Sequence, residues 1–138
     1  MRAWIGAGAW LLMAPVWGGD LELTVLGGPP GMPVRVALYE SATDFGDSAG
    51  HGALREQQGQ MADGAARFFF PGLKAGRYAV ASYADLNGNH RLDSNFLGKP
   101  TEPYGFSRDA RSVFGIPDFE RAAIHVGDGH VVQTIQLK

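Results

Sequence analysis

The residues best placed to do chemistry lie in one stretch, Asp85-Leu86-Asn87-Gly88-Asn89-His90-Arg91-Leu92-Asp93-Ser94-Asn95. Side-chain oxygens fall at alternate positions, Asp85, Asn87 and Asn89, and return at Asp93, with Gly88 at the bend. A hard cation such as calcium takes oxygen ligands in this kind of rhythm. In a helix-flanked calcium loop the ligands stand at positions one, three, five, seven, nine and twelve, the seventh a backbone carbonyl and the twelfth a bidentate Glu. Counted from Asp85, the first five of these are Asp85, Asn87, Asn89, the carbonyl of Arg91 and Asp93, but the twelfth is Phe96. Glu102, from the following loop, is the residue expected to complete the shell. Two carboxylates in the loop proper imply weak binding, nearer the millimolar range of extracellular calcium sites, and the spacing suits calcium better than the strict octahedron of magnesium. The competing reading is an Asx-rich turn whose side chains cap backbone N–H groups with no ion present.

Other constellations are poorer. His51, His90, His125 and His130 show no zinc spacing and no HExxH. His125 and His130 are placed to meet across a closing hairpin as ordinary strand-end residues. Ser107, in Gly105-Phe106-Ser107-Arg108-Asp109, lacks the second flanking glycine of a nucleophile elbow. Asp118 and Glu120, on a strand, would share a solvated face. No catalytic set converges, so the chain is not expected to be an enzyme, and an unrecognised hydrolase is the least favoured alternative. Tyr104, Phe106, Phe114 and Phe119 are a second candidate: they line a groove for a glycan, a peptide or a small apolar molecule, or they plug an end of the domain.

The elements that must position the loop read as strands and turns. Leu21, Leu23 and Val25 alternate with Glu22 and Thr24, a half-buried strand, and Gly27-Gly28-Pro29-Pro30-Gly31 is a turn. Val34, Val36 and Leu38 alternate likewise and are expected to form a hairpin with the first strand. Glu40 to Gly52 is a surface loop with Phe45 folded back onto the core. Ala53 to Ala62 is a polar edge strand with Leu54 and Met61 inward, and Asp63-Gly64 is a tight-turn dipeptide. Ala66 to Phe70 follows, with Phe68 and Phe70 inward and Phe69 outward. After a compact loop over Pro71–Gly76, Arg77 to Ala84 sets Tyr78, Val80 and Ser82 opposite Ala79, Ala81 and Tyr83, and runs straight into Asp85. Residues 96–119 are too rich in Pro and Gly for long regular elements, yet too aromatic for a solvated linker. They are expected to pack over one end of the domain. Arg121 to Val126 and His130 to Leu137 would then close the fold as a hairpin. Seven short strands and no helical period give an all-β, single-domain sandwich, with a small closed barrel as the alternative.

Composition limits the possibilities further. The chain has 138 residues, 20 of them Gly, no Cys and a net charge of −2. That is enough for one core, with no disulfide, no thiolate metal site and no basic footprint for nucleic acid. Met1-Arg2 followed by an apolar run to about Val16 reads as a secretory signal peptide over residues 1–18, cleaved after Gly18, because the run is too short to span a bilayer. The domain would then be residues 19–138, exported to the periplasm or secreted, with no transmembrane anchor left after cleavage. Losing Arg2 leaves 11 basic against 14 acidic side chains, a net charge of −3, and cleavage removes Trp4, Trp10 and Trp17, all the tryptophans. For an exported chain without disulfides, a metal is a reasonable substitute staple.

Three pieces occur in order: Leu73-x-x-Gly76-x-Tyr78-Ala79-Val80, then Asp85-x-Asn87-x-Asn89-x-x-Leu92-Asp93-x-Asn95-x-x-Gly98-x-Pro100-x-Glu102, then Tyr104-Gly105-Phe106-Ser107. With these the chain resembles the exported bacterial family catalogued as domain of unknown function 2141. The likeness extends from about Asp20 to Leu137 and is most specific between Leu73 and Ser107. It implies a prealbumin-like or immunoglobulin-like Greek-key sandwich, secreted or periplasmic, with no established activity. Ala84 stands where the family commonly has His, which removes any histidine ligand there, and His90 stands where it favours Gly. The expected role is a non-catalytic binding or envelope-interaction module whose calcium ion is structural, its partner an unidentified protein, glycan or small molecule.

Overall fold

A computed structural model of the chain describes residues 18–46, 52–86, 88, 102–112 and 116–138. These carry eight strands: β1 (Gly18–Leu26), β2 (Pro33–Tyr39), β3 (Arg55–Gln60), β4 (Ala65–Lys74), β5 (Gly76–Ala84), β6 (Tyr104–Phe106), β7 (Ile124–Val126) and β8 (His130–Gln136). Two single-turn helices, α1 (Ala42–Phe45) and α2 (Phe119–Ala122), and a 3-10 turn at Ser107–Asp109 complete the set. The all-β expectation holds. The strand not anticipated is β6, a short element inside the segment that Pro and Gly had marked as irregular.

The strands form two sheets, one ordered β4-β1-β8 and the other β3-β2-β5-β6, with β7 also paired to β5. The inward faces follow the alternation of the sequence. Leu21, Leu23 and Val25 of β1 meet Val34, Val36 and Leu38 of β2 and Tyr78 and Val80 of β5 in one core. Phe68 and Phe70 join them, while Phe69 is 48% exposed, as the period of two requires. Met61 is buried as expected, but Leu54 is 43% exposed, because it lies just before β3 and not within it.

Both expected hairpins are corrected. β1 pairs with β4 antiparallel and with β8 parallel, while β2 pairs with β3 and β5. β7 pairs with β5 and not with β8. Alternation fixes which side chains face inward but says nothing of which neighbour a strand takes. The Gly27–Gly31 and Gly127–Gly129 turns therefore carry the chain from one sheet to the other. The compact loop expected over Pro71–Gly76 is also shorter than predicted: β4 runs on through Pro71 to Lys74, and β5 starts at Gly76. The tight turn at Asp63-Gly64 is present, with φ of 53° and 84°, the pair of positive values a type I′ turn needs.

A second core lies on the outer face of the larger sheet. Ala79 of β5 packs there with Tyr39, Phe45, Tyr104, Phe106, Phe119 and Ala122, and Ala37, Ala81 and Tyr83 border them. β5 is thus covered on both faces. The described part of the 96–119 segment covers a sheet face, where the sequence had placed it over an end. Small side chains at Ala37, Ala79 and Ala81 leave room for this aromatic layer. Phe45 is central, edge-on to Tyr39, Phe106 and Phe119 at centroid distances of 5.6, 5.8 and 6.0 Å. Contacts of this geometry add about 0.5–1.5 kcal/mol each beyond the area they bury.

Candidate functional site

The loop that carries the oxygen-rich stretch leaves β5 and returns at β6, so both its ends are anchored in the larger sheet. Past the last β5 residue, Asp85 N–H donates to Pro33 O at 2.9 Å, extending the β2 ladder by one step. Ala84 N–H donates to Pro103 O at 2.9 Å, which extends the β6 ladder toward the loop. The Ala84–Asp85 junction is therefore held from both sides by backbone. Asp85 as a whole is 3% exposed.

Glu102 lies at the other foot of the loop and is 5% exposed. Its Oε2 accepts from Leu86 N–H at 2.7 Å. Two acidic side chains far apart in sequence are thus gathered at the loop base, one fixed by its own strand and one pinned to the next residue's amide. Burying carboxylates is costly unless hydrogen bonds or a cation offset the lost hydration. The Leu86 N–H supplies part of that offset at Glu102. At Gly88 the chain takes φ of +72°, with open space where a Cβ would stand, so the first sharp bend of the loop falls on a residue that adopts it freely.

Two neighbours were not anticipated. Arg35 and Tyr83 are directly opposite each other on β2 and β5, and Tyr83 lies two residues before Asp85, which follows the end of β5. Burial pushes the Tyr83 phenol well above its ordinary pKa; Arg35 opposes this, and Asp85 and Glu102 reinforce it. Tyr83 thus lies within the field of both acids and of one guanidinium. The period of two could have flagged Tyr83, whereas Arg35 depends on a cross-strand register that one sequence does not display. Arg35 is itself held by Gln58 Oε1 and, at 3.4 Å, by Glu56 Oε1 of β3.

Of the expected ligands, Asp85 and Glu102 are thus brought to one place. Asn87, Asn89, Arg91 and Asp93 lie outside the described residues, as do His51, His90 and Phe114. Among the described residues no group of three or more His, Asp or Glu could hold a metal ion, so an ion here would need oxygens from the loop itself.

The remaining candidates take structural places. Ser107 is fully buried; its Oγ accepts from Val80 N–H at 3.0 Å and donates to Ala122 O at 2.6 Å, tying β5 to α2. Glu120 lies on α2, not on a strand, and pairs with Arg77 at the surface. Each partner shifts the other toward the charged form, chiefly through their hydrogen bond. His130 Nε2 lies 3.1 Å from Glu22 Oε1 in the smaller sheet, whereas His125 is opposite Arg77 on β7. The two histidines therefore do not face each other across a hairpin. Tyr104, Phe106 and Phe119 are buried in the second core, and Arg111 covers the Tyr104 ring at 4.3 Å.

The model of the family described as "Uncharacterized protein conserved in bacteria (DUF2141)" matches residues 31–134, and the chain belongs to that family. Neither a curated protein nor a solved structure is matched by the chain.

Proposed function

We propose that this chain is an exported, non-catalytic protein whose loop after β5 binds calcium as a structural ion, with Asp85, Asn87, Asn89, the carbonyl of Arg91, Asp93 and Glu102 as ligands. Its fold is read as a Greek-key sandwich of the prealbumin-like or immunoglobulin-like kind, and its role as a binding or envelope-interaction module. The ion would fasten the start of the 96–119 segment to the strand ends beneath it. The observation that carries this reading is the buried Glu102 carboxylate at Leu86 N–H, 2.7 Å away. The loop lacks an acid at its twelfth position, and Glu102, buried at the loop base, supplies the sixth ligand in this proposal. Export rests on the apolar leader. Cleavage after Gly18 would leave every β1 pair from Gly19 onward in place. No helix among the described residues is long and apolar enough to cross a membrane.

The burial of Tyr104, Phe106 and Phe119 favours packing over a ligand groove for the aromatic segment. It therefore supports a role carried by the loop and the outer surfaces.

Terbium, close to calcium in size, tests the site directly. The chain, purified from an exporting host with its N-terminus read by mass spectrometry, should sensitise terbium emission through Tyr83. Millimolar calcium should quench that emission by competition, and Asp85→Ala should abolish it. Emission that survives Asp85→Ala unchanged would remove the site.

A further inference from the structure

The flanks of the two sheets are largely closed by the chain itself. On one side, Gln57 Nε2 and Arg55 Nη1 of β3 donate to Phe69 O and Pro71 O of β4, at 2.7 and 2.5 Å. On the other, Lys138 exchanges backbone hydrogen bonds with Tyr104 at 3.0 Å in each direction. Beside it, Asp109 Oδ1 accepts from Gln136 N–H at 2.9 Å. Arg108 and Asp109 adopt φ of 59° and 50° to form this cap, a strained backbone for residues other than glycine.

Among the described residues one stretch of edge is left. Leu137 N–H donates to Leu26 O, so odd-numbered residues of β8 aim their N–H and C=O groups at β1 and even-numbered ones aim them away. Gln136 and Lys138 are engaged by Asp109 and Tyr104. Among the described residues nothing pairs with the outward backbone of His130, Val132 and Thr134. This edge carries none of the usual guards, neither Lys nor Pro nor a bulge. Val132 is 56% exposed and Phe69 48%, and both are register partners of Glu22 on the outer face of the smaller sheet.

We propose that this edge pairs antiparallel with the same edge of a second copy of the chain, on a two-fold axis through Val132. The open stretch is bounded by the strand start at His130 and by the Asp109 cap at Gln136, and it is symmetric about Val132. A two-fold contact needs this self-complementary layout, in which each patch meets its own copy. In that register Val132 faces Val132 of the second copy, and His130 faces Thr134 of the second copy. Three residues on each copy exchange N–H···O=C pairs, a β-branched pair sits at the centre, and no like charges are opposed. The two smaller sheets become one continuous sheet.

Sedimentation equilibrium of the purified chain, with amide exchange at low and high concentration, tests this. A monomer–dimer equilibrium is expected, with the Val132 and Thr134 amides protected only where the dimer is populated. Val132→Lys places two ammonium groups at the axis and should raise the dimer dissociation constant by roughly tenfold or more. Because Val132 points to solvent, the thermal midpoint of the dilute monomer should not move. A chain that stays monomeric at millimolar concentration, or a Val132→Lys variant that dimerises like the wild type, overturns the proposal. A monomer whose Val132 and Thr134 amides are protected only by an added extended peptide also overturns it, and assigns the edge to a foreign strand.

Discussion

At Glu102 the hydrogen-bond role and the cation role can be separated by one atom exchange. Glu102→Gln keeps an oxygen acceptor for Leu86 N–H and removes the charge. Stability without calcium should stay within about 1 kcal/mol of the wild type, while any stabilisation by calcium should disappear; equilibrium urea unfolding with and without chelator reads both. Ser107 is a contrasting case, since its hydroxyl serves two buried backbone groups at once. Ser107→Ala should cost about 1–3 kcal/mol, seen as a lower urea midpoint at unchanged slope. Tyr83 supplies a pH signature. Its pKa is raised in the folded chain, chiefly by burial, so the unfolded chain loses that proton first as pH climbs. Stability is fully present below about pH 10 and falls as pH rises from there toward the folded-state pKa. Thermal midpoints from pH 8 to 11 should fall less steeply in Tyr83→Phe. At this scale the two buried acids were legible, because the oxygen rhythm singles out Asp85 and the missing acid at the twelfth position directs attention to Glu102. Arg35 was not, since its place beside Tyr83 exists only once β2 and β5 are in register.

At the scale of elements, the faces of strands were legible and their neighbours were not. Leu21, Leu23, Val25, Val34, Val36, Leu38, Phe68 and Phe70 all point where a period of two puts them. The pairing of β1 with β8, and of β5 with β7, joins residues far apart in sequence, and no local pattern encodes it. The second core was hidden for a related reason. Ala79 and Ala81 look like the dull side of a half-exposed strand until Phe106 and Phe119 are laid over them. Gly105 of β6 shows how closely the elements meet. A Cβ there would lie 2.6 Å from Ile135 Cγ2 and 2.8 Å from Gln136 O. Gly105→Ala must move backbone as well as a side chain, and should destabilise by about 1–3 kcal/mol, with a lower thermal midpoint as the readout.

For the whole molecule, the all-β class was readable from strand alternation and turn residues, while all but the last residue of the leader expected over residues 1–18 lies outside the described residues. The described residues form a larger sheet whose β5 is covered on both faces, beside a smaller sheet that exposes Phe69 and Val132 on its outer face. The loop end buries Asp85 and Glu102, and the β8 edge is the one proposed above for pairing. The calcium proposal concerns the loop end. Thermal unfolding of the purified chain in saturating calcium and in chelator is the decisive experiment. Calcium at about 100 times its dissociation constant should add about 2.7 kcal/mol, a rise of several degrees in a domain of this size, and Asp85→Ala should lose that rise. An unchanged midpoint in the wild type, or an equal rise in Asp85→Ala, would contradict the claim.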